Sequence, residues 1–153
     1  MKTKILILLV AILIINACNK DKFQTKPVLT FKSVSTTNVA AGGDITFNIE
    51  ISDKQGDIDS VIYWKKVSFV DTLNNLPKKG AMDSVSIPSD LPRERRFDGD
   101  FAITFVNANG AGINISPAVA GKNDSCVFKF WMKDYGNHVS DTMVSPIIII
   151  RHP

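Results

Sequence analysis

The sequence has few of the residues that build redox, zinc and nucleophilic sites. It contains two cysteines and two histidines in 153 residues, and these show no close His/Cys spacing of the kind that zinc requires. There is no Gly-x-Ser-x-Gly elbow and no phosphate-binding loop. We therefore expect a protein without catalytic residues, not an enzyme.

The sequence also has no apolar run long enough for a membrane-spanning helix. Its most apolar stretch, Ile5 to Ile15, covers about 11 residues, whereas a span needs about 20. Lys2 and Lys4 precede this stretch, and small residues follow it. A basic start, a short apolar run and small residues are typical of a cleaved export signal.

The signal ends in Ile15-Asn16-Ala17-Cys18, which resembles the lipobox of bacterial lipoproteins, although Ile15 and Asn16 depart from its commonest residues. The resemblance implies that residues 1–17 are a signal peptide and that Cys18 carries a diacylglycerol, usually with a third acyl chain. Two or three acyl chains anchor a protein stably, whereas one does not. The alternative is a plain signal peptide with a coincidental cysteine. We expect a lipid anchor in the cell envelope, at the outer membrane, on its periplasmic face or at the cell surface.

Removal of the signal changes the charge and the cysteine count. The chain has a formal charge of +3, and the loss of two signal lysines leaves +1. A nearly neutral domain gives no electrostatic reason to expect nucleic acid as a partner. Cys126 is then left without a disulfide partner, and its place among apolar residues predicts a buried thiol.

The mature chain divides into a tether and one domain. Residues 18–27 are the lipidated cysteine and a polar tether, and residues 28–153 are long enough for one core. From Pro27 onward, apolar residues recur with a period near two, which indicates strands with one buried face. Seven strands are expected, over Val28–Ser35, Asp44–Ser52, Ile58–Val67, Ser84–Ile87, Phe101–Val106, Ser125–Lys133 and Val139–Arg151, the last of them broken at Pro146.

Two segments resemble bacterial immunoglobulin-like and PKD-like domains. Residues 41–64 resemble their B strand, B–C loop and C strand, with Trp64 at the position of the family's C-strand tryptophan. Residues 133–140 resemble their F–G hairpin. Together these segments cover about a third of the domain. The fold expected from the strand count and from this resemblance is an all-β, immunoglobulin-like antiparallel β-sandwich of about seven strands.

Short motifs also resemble features of Bacteroidetes-type lipoproteins. Residues 19–22 resemble a surface-export tether. Four tripeptides resemble that group's Asp-Ser/Thr-apolar O-glycosylation acceptor, and they lie at residues 59–61, 71–73, 83–85 and 141–143. Such short matches bear on export and solubility and not on activity.

A cluster of acidic side chains suggests a possible metal site. Asp53, Asp57 and Asp59 lie in the predicted B–C loop, and Asp134 and Asn137 lie in the predicted F–G loop. Both loops emerge at the same end of an immunoglobulin-like sandwich, so these oxygens could converge on calcium. Asp and Asn also terminate strands and build turns, and this structural interpretation is preferred, with calcium as the alternative.

The C-terminal histidine region resembles a nucleophilic triad only superficially. His138 and Ser140 lie two apart and so share a strand face, but Asp141 would project to the other side. A triad needs a carboxylate that orients the imidazole. This geometry gives no support for catalysis.

The expected function is therefore a non-catalytic binding or assembly module of the envelope. Its contacts are the membrane, through the lipid, and an unidentified protein or glycan, with a protein recognised through an exposed strand edge. The alternatives are an accessory glycan-binding module of a sugar-capture system and a calcium-binding adhesion-type domain. For a glycan, Trp131 and Tyr135 are the expected contact residues, because Trp131 faces away from the predicted core. Packing of Trp131 under a loop or a second sheet is the competing interpretation.

Overall fold

The computed structural model describes residues 26–69, 82–88, 96–107, 113 and 115–152. The predicted signal peptide, Cys18 and most of the tether lie outside these residues, as does the tripeptide at residues 71–73 that resembles a glycosylation acceptor. Within the described residues no helix is long and apolar enough to cross a membrane.

The described chain forms two sheets and no regular helix. Nine strands are present in these residues, in chain order β1 Val28–Val34, β2 Asn38–Val39, β3 Asp44–Asp53, β4 Ile58–Ser68, β5 Met82–Ser86, β6 Phe97–Val106, β7 Asp124–Asp134, β8 Met143–Val144 and β9 Ile148–Ile150. The smaller sheet has the order β1-β3-β6, and the larger has the order β2-β9-β7-β4-β5 with β8 beside β7. The expected all-β sandwich is confirmed.

The order of the strands in the two sheets matches that of an immunoglobulin-like sandwich. Strands β1, β3 and β6 take the places of A, B and E, while β5, β4, β7 and β9 take those of C′, C, F and G. All neighbouring pairs are antiparallel except β2 and β9, which are parallel. The short β2 was not expected, because two residues are too few to show a period.

The last predicted strand is broken as expected, and the strand that precedes β7 is longer than expected. The last predicted strand is two strands, β8 and β9, separated by Ser145, Pro146 and Ile147, as the missing proline N–H requires. Strand β6 begins at Phe97 rather than Phe101, because β3 pairs with it along its whole length. Alternation is weak there, since Asp98, Gly99 and Asp100 interrupt the apolar pattern.

The core lies between the inner faces of the two sheets, and aromatic rings form its centre. Phe47 of β3 has ring centroids 5.7 Å from Phe105, 5.0 Å from Phe128 and 5.3 Å from Phe130. Trp64 packs edge-on against Phe105 at 4.7 Å. The apolar faces of β3, β4 and β7 predicted from alternation are all buried, and they comprise Ile45, Phe47, Ile49, Ile51, Ile62, Trp64, Cys126, Phe128, Phe130 and Met132.

Truncation of the central ring should test this packing. We expect Phe47→Ala to lower the free energy of unfolding by about 3–5 kcal/mol, because it removes contacts with both sheets and leaves a cavity. Val144→Ala is the control, since Val144 is 49 % exposed, and it should change stability by less than about 0.5 kcal/mol. Chemical denaturation followed by tryptophan fluorescence measures both. Equal effects of the two substitutions would contradict the packing described here.

Candidate functional site

The β3–β4 loop and the turn after β7 meet at one end of the sandwich, as predicted for the B–C and F–G loops. The backbone N–H of Tyr135 donates to the carbonyl oxygen of Asp57 at 2.8 Å. Ile58 and Asp134 are paired in the ladder between β4 and β7. The two loops are therefore fixed to each other by backbone contacts, which places their side chains at a common end.

The β3–β4 loop is a tight turn whose first residue is buried. Asp53 ends β3 on the core-facing side and is 2 % exposed. Its Oδ1 accepts the backbone N–H of Gln55 at 3.1 Å, an Asx-turn that reverses the chain. Gly56 has φ of 69°, a conformation that glycine adopts without steric cost. The sequence Asp-x-Gln-Gly thus builds this turn locally.

Three oxygen atoms in this loop are buried without a hydrogen-bond partner. They are Oδ2 of Asp53, Oε1 of Gln55 and Oδ1 of Asp57. Among the described residues only one other buried side-chain polar atom is unpartnered, the indole nitrogen of Trp64. An unsatisfied buried acceptor costs about 1–3 kcal/mol, so the concentration of three in one turn is unfavourable as it stands.

The buried carboxyl of Asp53 resists ionisation. Burial raises the pKa of Asp53 above its ordinary 3.8, and the neighbouring Asp57 carboxyl raises it further, while the N–H of Gln55 acts in the opposite direction. Two neighbouring carboxylates repel each other, so one of them tends to keep its proton or the pair tends to bind a cation.

The other members of the predicted calcium set have different roles. Both oxygens of the buried Asp134 face His138, with Oδ1 accepting its backbone N–H at 2.7 Å and Oδ2 lying 2.7 Å from Nδ1. Asn137 has φ of 63°, and its N–H donates to the carbonyl of Asp134, which makes it a turn residue. Asp59 lies in β4. In the described part of the chain, no three acidic, histidine or cysteine side chains are grouped as a metal site.

The opposite end of the sandwich shows how the fold satisfies a buried carboxylate. Asp124 is 1 % exposed, and its carboxylate contacts Lys66 Nζ at 2.9 Å. It also accepts the hydroxyl of Ser68 and the backbone N–H of Ala118 at 3.1 Å. A buried carboxylate with a cation and two further donors is compensated, whereas Asp53 is approached only by the backbone N–H groups of Gln55 and Asp57 and pairs with no lysine or arginine among the described residues.

The residues of the superficial triad belong to separate interactions. The Ser140 hydroxyl is buried and accepts the N–H of Met132 at 3.0 Å. His138 faces Asp134, and Asp141 forms an exposed ion pair with Lys26 at 2.7 Å. Cys126 is fully buried, and burial raises the pKa of its thiol to about 12, so it packs as a small apolar side chain.

The outer face of the larger sheet carries a row of aromatic and basic side chains. Tyr63 and Trp131 are paired across β4 and β7, and their rings stack with centroids 6.0 Å apart. Lys65 and Lys129 are the next pair on the same face, and Lys133 lies 5.9 Å from the Tyr63 ring. We call Tyr63, Lys65, Lys129, Trp131 and Lys133 the Lys–aromatic face. All five side chains are half-buried.

Within the described part of the chain, the lysines of the Lys–aromatic face have no acidic partner. No carboxylate of the described residues lies within 4.0 Å of the ammonium groups of Lys65, Lys129 or Lys133. Like charges directly opposite each other in a sheet are destabilising. The fold therefore maintains a concentration of positive charge beside two stacked rings, an arrangement suited to an anionic ligand with apolar ring faces.

Trp131 and Tyr135, the two predicted glycan contacts, lie in different parts of the structure. Trp131 faces away from the core, as expected, and stacks on Tyr63. Tyr135 lies past the end of β7 and is 53 % exposed. Sequence reasoning missed Tyr63, the lysines and Gln55. Alternation could have assigned Tyr63 to the outer face, but its pairing with Trp131 depends on the strand register.

Comparison of the chain with protein-family models, with curated proteins and with solved structures found no match. The residues themselves therefore carry the functional argument.

The buried carboxyl of Asp53, whose Oδ2 has no hydrogen-bond partner, predicts a stabilising substitution. In the presence of a chelator at neutral pH, we expect Asp53→Asn to raise the free energy of unfolding by about 1 kcal/mol, because the amide removes a buried charge and supplies a donor toward Asp57. The amide oxygen can still accept the Gln55 N–H. Thermal unfolding of the full-length chain in detergent measures the effect.

The pH dependence of that gain has a defined sign. Because the folded pKa of Asp53 lies above its ordinary 3.8, the wild type loses stability as pH rises through the folded pKa. The advantage of Asp53→Asn should be absent near pH 3 and grow toward pH 7. An advantage that is constant with pH, or a loss at pH 7, would show that the Asp53 charge is satisfied.

Proposed function

We propose that the protein is a lipid-anchored, non-catalytic binding module of the bacterial cell envelope. We further propose that its Lys–aromatic face binds an acidic glycan. The observation that carries the proposal is the stacked Tyr63–Trp131 pair, flanked by lysines that form no ion pair with a carboxylate of the described residues. Aromatic side chains offer a flat apolar surface to sugar rings, and ammonium groups attract carboxylates or sulfates.

The lysines distinguish an acidic glycan from a neutral one. Lys65 and Lys129 repel each other in the free protein, and an anionic group between them would remove that repulsion. Lys133 remains close to the Tyr63 ring, so charge is present on both sides of the aromatic pair. Binding should therefore weaken as salt concentration rises.

A second candidate is assembly with a protein through the edge of β6. Strand β6 pairs with β3 on one side, and on its other side the described contacts are confined to Val106, which bonds with Ile113 and Ile115. A long free edge favours addition of a strand from a partner. Asp98, Gly99 and Asp100 act against it, since edge charges and glycine discourage pairing. The edge is therefore the weaker candidate.

Substitutions on the Lys–aromatic face separate binding from stability. We expect Lys129→Gln to weaken retention on immobilised polygalacturonate by about three- to tenfold and to leave thermal stability unchanged or slightly raised, because it relieves the Lys65 repulsion. Trp131→Ala should weaken retention by about tenfold or more. Affinity electrophoresis of the full-length chain in detergent measures both, with neutral dextran as the reference polymer.

The matched control is Lys122→Gln, an exposed lysine on the loop before β7, which should bind like the wild type. Equal retention on dextran and polygalacturonate would exclude an acidic glycan. Ala102→Lys, which adds a charge to the β6 edge, should not change glycan retention. Loss of a co-purifying protein in that variant alone would favour the edge instead.

The lipid anchor has its own test. The wild-type chain expressed in a Gram-negative host should fractionate with membranes and begin at Cys18, with a mass increase equal to its acyl groups. Cys18→Ser should block this processing, because the thioether cannot form on a hydroxyl. Intact-mass spectrometry of the membrane and soluble fractions measures the outcome. A wild-type protein whose mass shows no acyl groups would instead favour a plain signal peptide without lipidation.

A further inference from the structure

The unpartnered oxygens of the β3–β4 loop have a common environment. Asp53 Oδ2, Gln55 Oε1 and Asp57 Oδ1 come from alternate residues of one turn, and each is inaccessible to solvent. Asp53 is almost completely buried, and its carboxyl is within hydrogen-bonding reach of the Asp57 side chain, so these two groups lie next to each other. Three buried acceptor oxygens within five consecutive residues, with no lysine or arginine paired to Asp53 among the described residues, favour a positively charged group in this turn.

The chemistry of the three oxygens identifies the class of ion. Two carboxylates and one amide oxygen are hard oxygen ligands, which calcium accepts in flexible loops with six to eight ligands. Sulfur is absent, and the only nearby imidazole, His138, is already occupied by Asp134. Soft transition metals are therefore disfavoured. Main-chain carbonyls of the turn and water would complete the coordination.

We propose that Asp53, Gln55 and Asp57 are the side-chain ligands of a calcium ion bound in the β3–β4 loop. The proposed site keeps only Asp53 and Asp57 of the acidic cluster predicted from the sequence. It excludes Asp59, Asp134 and Asn137, and it includes Gln55, which carries no charge. It also lies in the loop rather than on the Lys–aromatic face, so it does not depend on the proposed glycan binding.

A bound ion would stabilise the end of the sandwich. Asp57 accepts the backbone N–H of Tyr135, which connects this loop to the turn after β7. Calcium bound to the Asp57 side chain would restrain both segments, because the ion would hold the side chain of Asp57 while Tyr135 holds its backbone carbonyl. The orientation of the exposed Tyr135 is thus linked to the ion through one residue.

Thermal unfolding of the full-length chain in detergent tests the site, with EDTA, with calcium and with magnesium at equal concentrations. We expect calcium to raise the melting temperature by several degrees in a saturable manner, and magnesium to have a smaller effect because it requires a stricter octahedral geometry. Calorimetric titration with calcium should give one site per chain.

Three substitutions give the matched comparison. Asp57→Asn and Gln55→Ala should each weaken calcium binding by about tenfold or more, since each removes a ligand or its charge. Asp44→Asn makes the same chemical change at the exposed start of β3 and should bind calcium like the wild type. Asp134→Asn should also retain calcium affinity, even where it lowers the melting temperature, because that carboxylate contacts His138.

Two results would overturn the site. Identical melting curves of the wild type in EDTA and in calcium would exclude a calcium ion in the β3–β4 loop. A calcium shift that persists in both Asp57→Asn and Gln55→Ala would place the ion elsewhere. Trp131→Ala should leave the calcium response intact, so failure of the glycan proposal and failure of the calcium proposal are separate outcomes.

Discussion

The contact of Phe47 with Phe128 and Phe130 joins the two sheets, and the positions of all other surfaces depend on it. Cys126 is buried and unpaired, so no disulfide among the described residues supplements this packing. Once the apolar side chains of β3 and β7 point inward, their neighbours must point outward, because strand side chains alternate. The same constraint that forms the core therefore places Trp131 and the lysines on the outer face.

The two ends of the sandwich handle buried charge differently. Asp124 is neutralised by Lys66 and hydrogen-bonded by Ser68 and Ala118, so its burial is compensated within the chain. Asp53 is buried to a similar extent, but it forms no ion pair with a lysine or arginine of the described residues. Because a fold normally satisfies its buried polar atoms, the uncompensated end is where an external ligand has a physical reason to bind.

The Lys–aromatic face and the β3–β4 loop share one property, since each retains an unfavourable interaction that a ligand would remove. On the face it is the opposition of Lys65 and Lys129, and in the loop it is the proximity of Asp53 and Asp57. Functional surfaces often retain such costs, because removal of the strained group would stabilise the protein and weaken its binding. One site favours an anion and the other a cation, so they need not share a ligand.

The sequence by itself determined the all-β class, the inward residues of β3, β4 and β7, and the break at Pro146, because each follows from local alternation or from a missing N–H. It also predicted that the acidic loops share one end. Only the tertiary structure decided which residues face each other. The stacking of Tyr63 on Trp131, the pairing of Lys65 with Lys129 and the engagement of Asp134 by His138 depend on register and turn geometry. These are set by pairing between distant strands, and a single strand's pattern carries no information about its partner.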